Sequence, residues 1–180
     1  MELIDALEQT FQHADGVIGK VRTDQYDDPT PCPDWAVRDL LSHTIGVVAG
    51  LGAAASGTPP TEFALGTDPA AQFREAAAAA LAAWRTPGVL DKIVDAGPGP
   101  MPGRALAGIN LLDTATHTWD IATATGQPTL LPTAVAEAAL EASRATISPE
   151  IRPGRFGPEV SAPPDAGPTE QLVAFLGRQP

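Results

Sequence analysis

Shortages in the sequence exclude several classes of protein. Only 11 Lys and Arg residues stand against 22 Asp and Glu, and the resulting net charge of -11 repels nucleic acid phosphates and anionic lipid. A single cysteine, Cys32, cannot form an internal disulfide, which fits a reducing compartment. No apolar run approaches the roughly 20 residues that a bilayer requires, and the acidic N-terminus lacks the basic start of a leader. We therefore expect a soluble, cytoplasmic protein that binds neither nucleic acid nor membrane.

What the chain does have is helical periodicity interrupted by Pro and Gly. Its 180 residues predict one domain over 1–180, long enough to bury a hydrophobic core. Apolar residues recur at steps of three and four from Leu3 to Val21 and define a first helix. An apolar face with Asp34 as the N-cap predicts a second helix at about 34–57. Capping residues and Pro or Gly boundaries predict helices at about 68–86 and 106–125, and a fifth is predicted at 131–147.

The remaining segments predict loops and a tail. Three prolines within "PTPCP" favour an extended loop ahead of the second helix. A Pro-rich tail is expected from about residue 152, and it contains the short apolar piece "EQLVAFLG" that predicts an additional C-terminal helix. No segment has a convincing strand pattern, so the predicted fold class is all-α, a bundle of helices that each bury one apolar face.

A polar stripe in "NLLDTATHTWDIATATG" is the first candidate for chemistry. Asp113 and His117 lie one helical turn apart with Asp120 on the same stripe, so the first two can converge on one ion. His43 lies in the apolar run "DLLSHTIGVVAG" of the second helix, where it would point into a groove between helices. Two imidazoles and one carboxylate suit Zn, Fe, Ni or Mn and leave positions open for water or substrate.

The same spacing has a plainer interpretation. The polar stripe is also typical of the solvated face of a surface helix, and His43 could be a core histidine bonded to a backbone carbonyl. A carboxylate and a histidine at i and i+4 are a weak signal by themselves. The residues of that solvated face would be Asn110, Asp113, His117 and Asp120.

Other polar and aromatic residues have roles that the sequence leaves open. Asp120 is a candidate to accept a hydrogen bond from a ligating imidazole, to pair with Arg38 or to cap a loop. Cys32 and Trp35 are expected to pack the loop before the second helix rather than to contact a ligand. Arg104, just ahead of the fourth predicted helix and so near the expected metal end, is a candidate for binding an anionic substrate.

Two stretches carry a family resemblance. "PTPCPDWAVRDLLSHTIGVVAG" and "LLDTATHTWDIATATGQP" resemble the signature stretches of the DinB-like superfamily, in the branch with the mycothiol-dependent maleylpyruvate isomerase metal-binding domain. The tail "GRFGPEVSAPPDAGPTEQLVAFLGRQP" is similar to the ending of small single-domain members of that branch. The resemblance implies an up-and-down four-helix bundle that binds a divalent metal at one end through His43, Asp113 and His117. Zn is the first expectation, with Ni, Fe or Mn as alternatives.

Three hypotheses of function follow from that resemblance. The first is a transferase or isomerase that uses a thiol cofactor such as mycothiol, whose thiol the metal activates toward an electrophilic substrate. The second is a non-catalytic metal-binding or stress-associated bundle, and the third is a bundle that has lost its metal and serves only in protein association. In the isomerase the carboxylate corresponding to Asp113 is a Glu, so the side chain here is one methylene shorter. The oligomeric state stays open, with a homodimer as one expectation.

Overall fold

Helices make up most of the structure. The computed structural model describes residues 1–59, 61–97, 99–154 and 156–180. Within these residues the α-helices are α1 (Leu3–Ile18), α2 (Val37–Ser56), α3 (Pro69–Trp84), α4 (Gly103–Ala124), α5 (Thr133–Thr146) and α6 (Pro168–Phe175). Two single 3-10 turns, Thr23–Gln25 and Val89–Asp91, lie in the connections. The prediction of an all-α fold with an additional C-terminal helix is confirmed.

The first four helices form the bundle. Helix α1 packs against α3 and α4, and α2 packs against the same two helices, so α1 and α2 occupy opposite corners. The connection 19–36 therefore crosses the diagonal of the bundle. Helix α5 covers α4 and α1 on the outside, and α6 packs on α5. In the described part of the chain no helix is long and apolar enough to cross a bilayer.

Helix α2 begins later than the sequence predicted. Asp34 was expected to cap it, but Asp34 takes a left-handed turn with φ 68° and the helix begins at Val37. The carboxylate that stabilises this end is instead that of Asp39, which accepts a hydrogen bond of 2.9 Å from the backbone N–H of Ala36. Asp34 is the wrong cap because the turn that closes the Pro-rich loop occupies its backbone.

The structure also contains a short hairpin, although the sequence pattern predicts no strand. Strand β1 (Ile93–Asp95) pairs antiparallel with β2 (Pro100–Pro102). Three residues are too few to show an alternating pattern, and prolines are tolerated in this pair because both strands are edges. Helix α4 follows at once and begins at Gly103, where a Cβ would collide with the backbone carbonyl of Val89.

Helix α4 is enclosed on nearly every side, which removes the solvated-face interpretation. Asn110 and Asp120 are fully buried and His117 is 8% exposed. The buried hydroxyls of Thr116 and Thr118 are satisfied within the helix, since each donates to the carbonyl four residues back at 2.6 Å. The polar stripe therefore faces other elements of the protein, and its side chains must find partners there.

Candidate metal-binding site

Helices α2 and α4 bring His43, Asp113 and His117 together. The Nε2 atom of His43 lies 3.2 Å from Oδ2 of Asp113, and Nε2 of His117 lies 3.7 Å from the same oxygen. One ligand atom from each residue lies within 4.8 Å of the other two. All three side chains are largely buried, and His43 is the most exposed at 32%. The three residues that the sequence singled out thus form one cluster.

The chemistry of this cluster fits a divalent metal. Ligand atoms about 2.0–2.1 Å from a tetrahedral metal are about 3.3 Å from each other, close to the two separations measured here. Oδ1 of Asp113 is buried and has no hydrogen-bond partner among the described residues. A buried carboxylate oxygen without a partner is unfavourable unless a cation or donor meets it. The donor set of two nitrogens and one oxygen is also one that Zn and similar ions take.

The second nitrogen of His117 faces the other way. Its Nδ1 lies 2.9 Å from Oδ2 of Asp120, to which it donates a hydrogen bond. This contact orients the ring so that Nε2 points at Asp113. Of the roles left open for Asp120, the hydrogen bond to His117 is the one observed, while Arg38 pairs with Asp27 instead.

Arg178 is the residue that sequence reasoning missed. Its guanidinium is 9% exposed and holds Asp120 through two contacts, Nε to Oδ1 at 3.2 Å and Nη2 to Oδ2 at 2.8 Å. Nη1 donates to the carbonyl of Leu176, so each of the three guanidinium nitrogens has a hydrogen-bond acceptor. The only signal was a lone Arg directly after the apolar "LVAFLG" of the tail, and that pattern has no periodicity to place it.

Cys32 lies beside this second cluster. Its Sγ accepts from Nη2 of Arg178 at 3.2 Å and lies 3.7 Å from Oδ2 of Asp120. Cys32, His117 and Asp120 form a second group close enough to hold an ion. Both carboxylate oxygens of Asp120 are already bound to Arg178, however, so this group has fewer free donors than the first. These contacts include Cys32 in the polar network around Asp120.

Charges in the cluster are strongly coupled. Burial opposes protonation of His117, but the charge of Asp113 and the hydrogen bond to Asp120 outweigh it and raise the pKa of His117 to about 10. Burial likewise favours the neutral form of Asp113, yet His117 and His43 hold its pKa below the ordinary value. The site without a metal is therefore an imidazolium between two carboxylates, and an ion that binds Nε2 of His117 must displace a proton.

A cleft opens on the side of Asp113 away from Arg178. It has a volume of about 860 Å³, and its lining includes Trp35, His43, Gly46, Phe63, Ile109 and Asp113. The ring of Trp35 lies 4.7 Å from that of His43, centroid to centroid. Arg104 does not belong to the cleft, because it precedes Asp113 by nine residues, about 14 Å along the helix. The expectation that Arg104 lies near the metal end is wrong.

Together these features define a class of protein: a four-helix bundle with a two-histidine, one-carboxylate group facing a cleft. Residues 7–122 match the family described as the mycothiol maleylpyruvate isomerase N-terminal domain, and the chain belongs to that family. The family expected from the sequence is confirmed.

Relatives and a solved structure extend the comparison. Two uncharacterized proteins of Mycobacterium tuberculosis, MT0763 and Rv0738, are each 38% identical over 165 residues, covering 90% of both chains. The crystal structure of the mycothiol-dependent maleylpyruvate isomerase superposes with a TM-score of 0.54 at 14% identity, covering 79% of this chain and 68% of that chain. At that identity the superposition shows a shared fold.

Proposed function

We propose that the protein binds one divalent metal through His43, Asp113 and His117 and works as a thiol-dependent transferase or isomerase. The observation that carries the proposal is the convergence of two imidazole nitrogens on the carboxylate of Asp113, whose buried Oδ1 has no partner among the described residues. Mycothiol is the expected thiol, supported by the family to which the chain belongs. Zn is the expected metal, with Ni, Fe or Mn as alternatives, because the donor set suits all four.

Each residue of the site has a task in this proposal. Asp120 holds the ring of His117, and Trp35 packs against the ring of His43, so both Nε2 atoms face Asp113. The cleft leaves the open side of the cluster accessible to a thiol and an electrophile. The chemistry that a divalent metal supplies at such a site is a lowered pKa of the thiol, which favours the nucleophilic thiolate. No protein nucleophile is then required, and Cys32 stays engaged with Arg178.

Metal analysis is the first test. Protein purified without chelator and supplied with Zn or Ni is expected to hold close to one equivalent, and His43→Ala and His117→Ala are each expected to lose most of it. His13→Ala is a matched control, because His13 lies on α1 outside the cluster. Full metal retention by both cluster variants would overturn the site.

Thiol binding is the second test and separates an enzyme from a non-catalytic metal-binding protein. Mycothiol added to the cobalt-substituted protein is expected to produce a sulfur-to-metal charge-transfer band, since three protein ligands leave a position open. Cys32→Ser is expected to keep that band. A band already present without added thiol, and absent in Cys32→Ser, would identify Cys32 as a fourth ligand. A metal site that takes up no thiol would favour the non-catalytic alternative.

A further inference from the structure

The cleft beside the cluster is built mainly by one face of α2. The residues on this face recur at helical spacing and are Asp39, Ser42, His43, Gly46, Val47 and Gly50. Opposite them lie apolar and aromatic side chains from three other segments: Trp35 from the loop before α2, Phe63 from the loop after it and Ile109 from α4. Apolar side chains therefore form much of the wall of the cleft, although Ser42 and Thr61 also line it. Its volume of about 860 Å³ is in the range of small-molecule sites.

The mouth of this cleft, on the side away from the proposed metal ligands, has carboxylates as its charged side chains. Asp34 and Asp39 are exposed at its lining, and Asp113 lies at its inner end. Among the described residues that line it there is no Lys or Arg. A ligand carboxylate held at the mouth of the cleft, away from the proposed metal, would meet like charge and lose its hydration without a guanidinium or ammonium to replace it.

Arg38 and Arg178 are committed to partners outside the cleft. Arg38 pairs with Asp27 at the surface. Arg178 is buried on the far side of His117, where Asp120 takes both of its donor edges. Neither supplies a cation to the cleft.

We infer that the cleft selects uncharged electrophiles with an apolar body and rejects dicarboxylates and other acidic substrates. The inference rests on the proposed function, because it names the substrate class of the same site. Asp34 and Asp39 are then specificity-determining residues that act by electrostatic repulsion. The apolar walls provide the attraction, through burial of the body of the substrate.

A pair of benzyl chlorides that differ by one remote charge tests this. Methyl 4-(chloromethyl)benzoate and 4-(chloromethyl)benzoate share the reacting carbon. In both, the thiol sulfur forms a bond to that carbon, the carbon–chlorine bond breaks, chloride leaves with its electron pair, and the thiol proton goes to solvent. Rates with metal-loaded protein and mycothiol are divided by the uncatalysed rates. We expect the ester to be accelerated at least about tenfold more than the acid, from like-charge repulsion in the cleft.

Matched charge variants locate the effect. Asn tolerates positive φ, so Asp34→Asn removes the charge and keeps the turn, and the side-chain oxygen in Asp39→Asn still accepts from Ala36. Each variant is expected to raise the rate with the acid and so to lower the ratio of ester acceleration to acid acceleration. Asp5→Asn, in the first turn of α1 and outside the cleft, is expected to leave the ratio unchanged. Equal acceleration of both chlorides, or a ratio unaffected by both cleft variants, would overturn the inference.

A binding measurement keeps this inference separate from the proposed function. If neither chloride is accelerated, the proposed function fails, and unreactive methyl 4-methylbenzoate and 4-methylbenzoate then test the cleft alone. Their affinities are measured from the NMR shift of the Trp35 indole in metal-free and metal-loaded protein. Asp34→Asn is expected to tighten the acid severalfold and to leave the ester unchanged, and the absence of that difference would contradict the inference.

Discussion

The two ring nitrogens of His117 lie in environments of opposite character. At Nδ1, Asp120 is fully buried and both of its oxygens are bound by Arg178 and His117. At Nε2, Asp113 has one oxygen near two imidazoles and a second buried oxygen that no described residue meets. The Asp120 side is closed by Arg178 of the C-terminal segment, and the Asp113 side opens on a cleft.

This difference gives the Asp120 side a structural role and the Asp113 side its proposed role in binding an ion. A saturated network of buried charges gains nothing from another ligand and loses much when one member is removed. An unsaturated carboxylate beside two imidazoles is stabilised when a cation arrives. One imidazole therefore connects a saturated network to the proposed ion site, so a change on the Asp120 side reaches the Asp113 side through His117.

The largest effect is expected from breaking the saturated side. Asp120→Ala leaves Arg178 buried without its carboxylate, which typically destabilises a protein by about 3–5 kcal/mol. Asp113→Ala, on the unsaturated side, is expected to lose clearly less. Urea denaturation of the metal-free variants measures both. Equal losses would mean that the two sides are equally structural.

Metal affinity is expected to rank the same two residues in reverse. Asp113→Ala removes a proposed ligand and is expected to weaken Zn binding by more than about 100-fold, whereas Asp120→Ala, which only orients His117, is expected to weaken it about 10- to 100-fold. Competition against a chelating dye, with each variant checked for folding by circular dichroism, gives the order. The reverse order would contradict the assignment of Asp113.

Arg178 provides a smaller and more selective test. Arg178→Met removes the charge that holds Asp120 and is expected to weaken metal binding about tenfold, the low end for groups that orient a ligand. Arg178→Lys restores the charge without the paired donors and is expected to recover part of the loss. The d–d spectrum of cobalt-substituted protein reports the geometry directly. A spectrum unchanged in Arg178→Met would show that the tail does not position the site.

The pH dependence of stability sharpens the same comparison. The folded pKa of His117 is raised from 6.5 to about 10, so its contribution to stability in the metal-free protein is fully present below pH 6.5. This contribution is lost as the pH rises through about 10, where the folded protein also deprotonates. Urea titrations from pH 6 upward are expected to show that loss in the wild type and not in His117→Gln. A parallel decline in both proteins would assign it to other groups.

The smallest effect is expected from Cys32→Ser. The hydroxyl keeps a polar contact with Arg178, and Asp120 still orients His117 through Nδ1. Zn affinity is therefore expected to change by less than about threefold, within the range of an ordinary neutral hydrogen bond. The same dye competition measures it. A loss of Zn affinity as large as that of Asp113→Ala would instead assign metal binding to the group of Cys32, His117 and Asp120.

Local patterns were sufficient to predict most of the fold. Apolar periodicity located helices α1 and α2, and caps with Pro or Gly boundaries located α3 and α4. The spacing of Asp113 and His117 placed both on one face because an α-helix has a fixed pitch. The pairing of that face with His43 required the family resemblance as well, since periodicity contains no information on which helices are neighbours. The wrong N-cap at Asp34 arose where two turn-forming motifs overlap.

Contacts between distant segments could not be predicted. Arg178 and Asp120 are 58 residues apart, and the tail between them has no repeating pattern that would place one beside the other. The burial of α4 on nearly all sides was missed for the same reason: α1, α2 and α5, which pack on it, add no signal to the sequence of α4 itself. Buried polar residues in such a helix indicate partners, without naming them.

The glycines on α2 have a consequence for how new substrates could be acquired. At Gly50 an added Cβ would meet no atom within 4 Å, and at Gly46 it would touch only Phe63, whereas at Gly52, two residues on, it would collide with Ala80 of α3. Positions 46 and 50 can therefore diversify by single substitutions that reshape the cleft while the core and the three proposed ligands stay unchanged. Substitutions are thus tolerated on the cleft face of α2 and not on the face that packs against α3. A lineage that keeps the three proposed ligands can therefore change its substrate one side chain at a time.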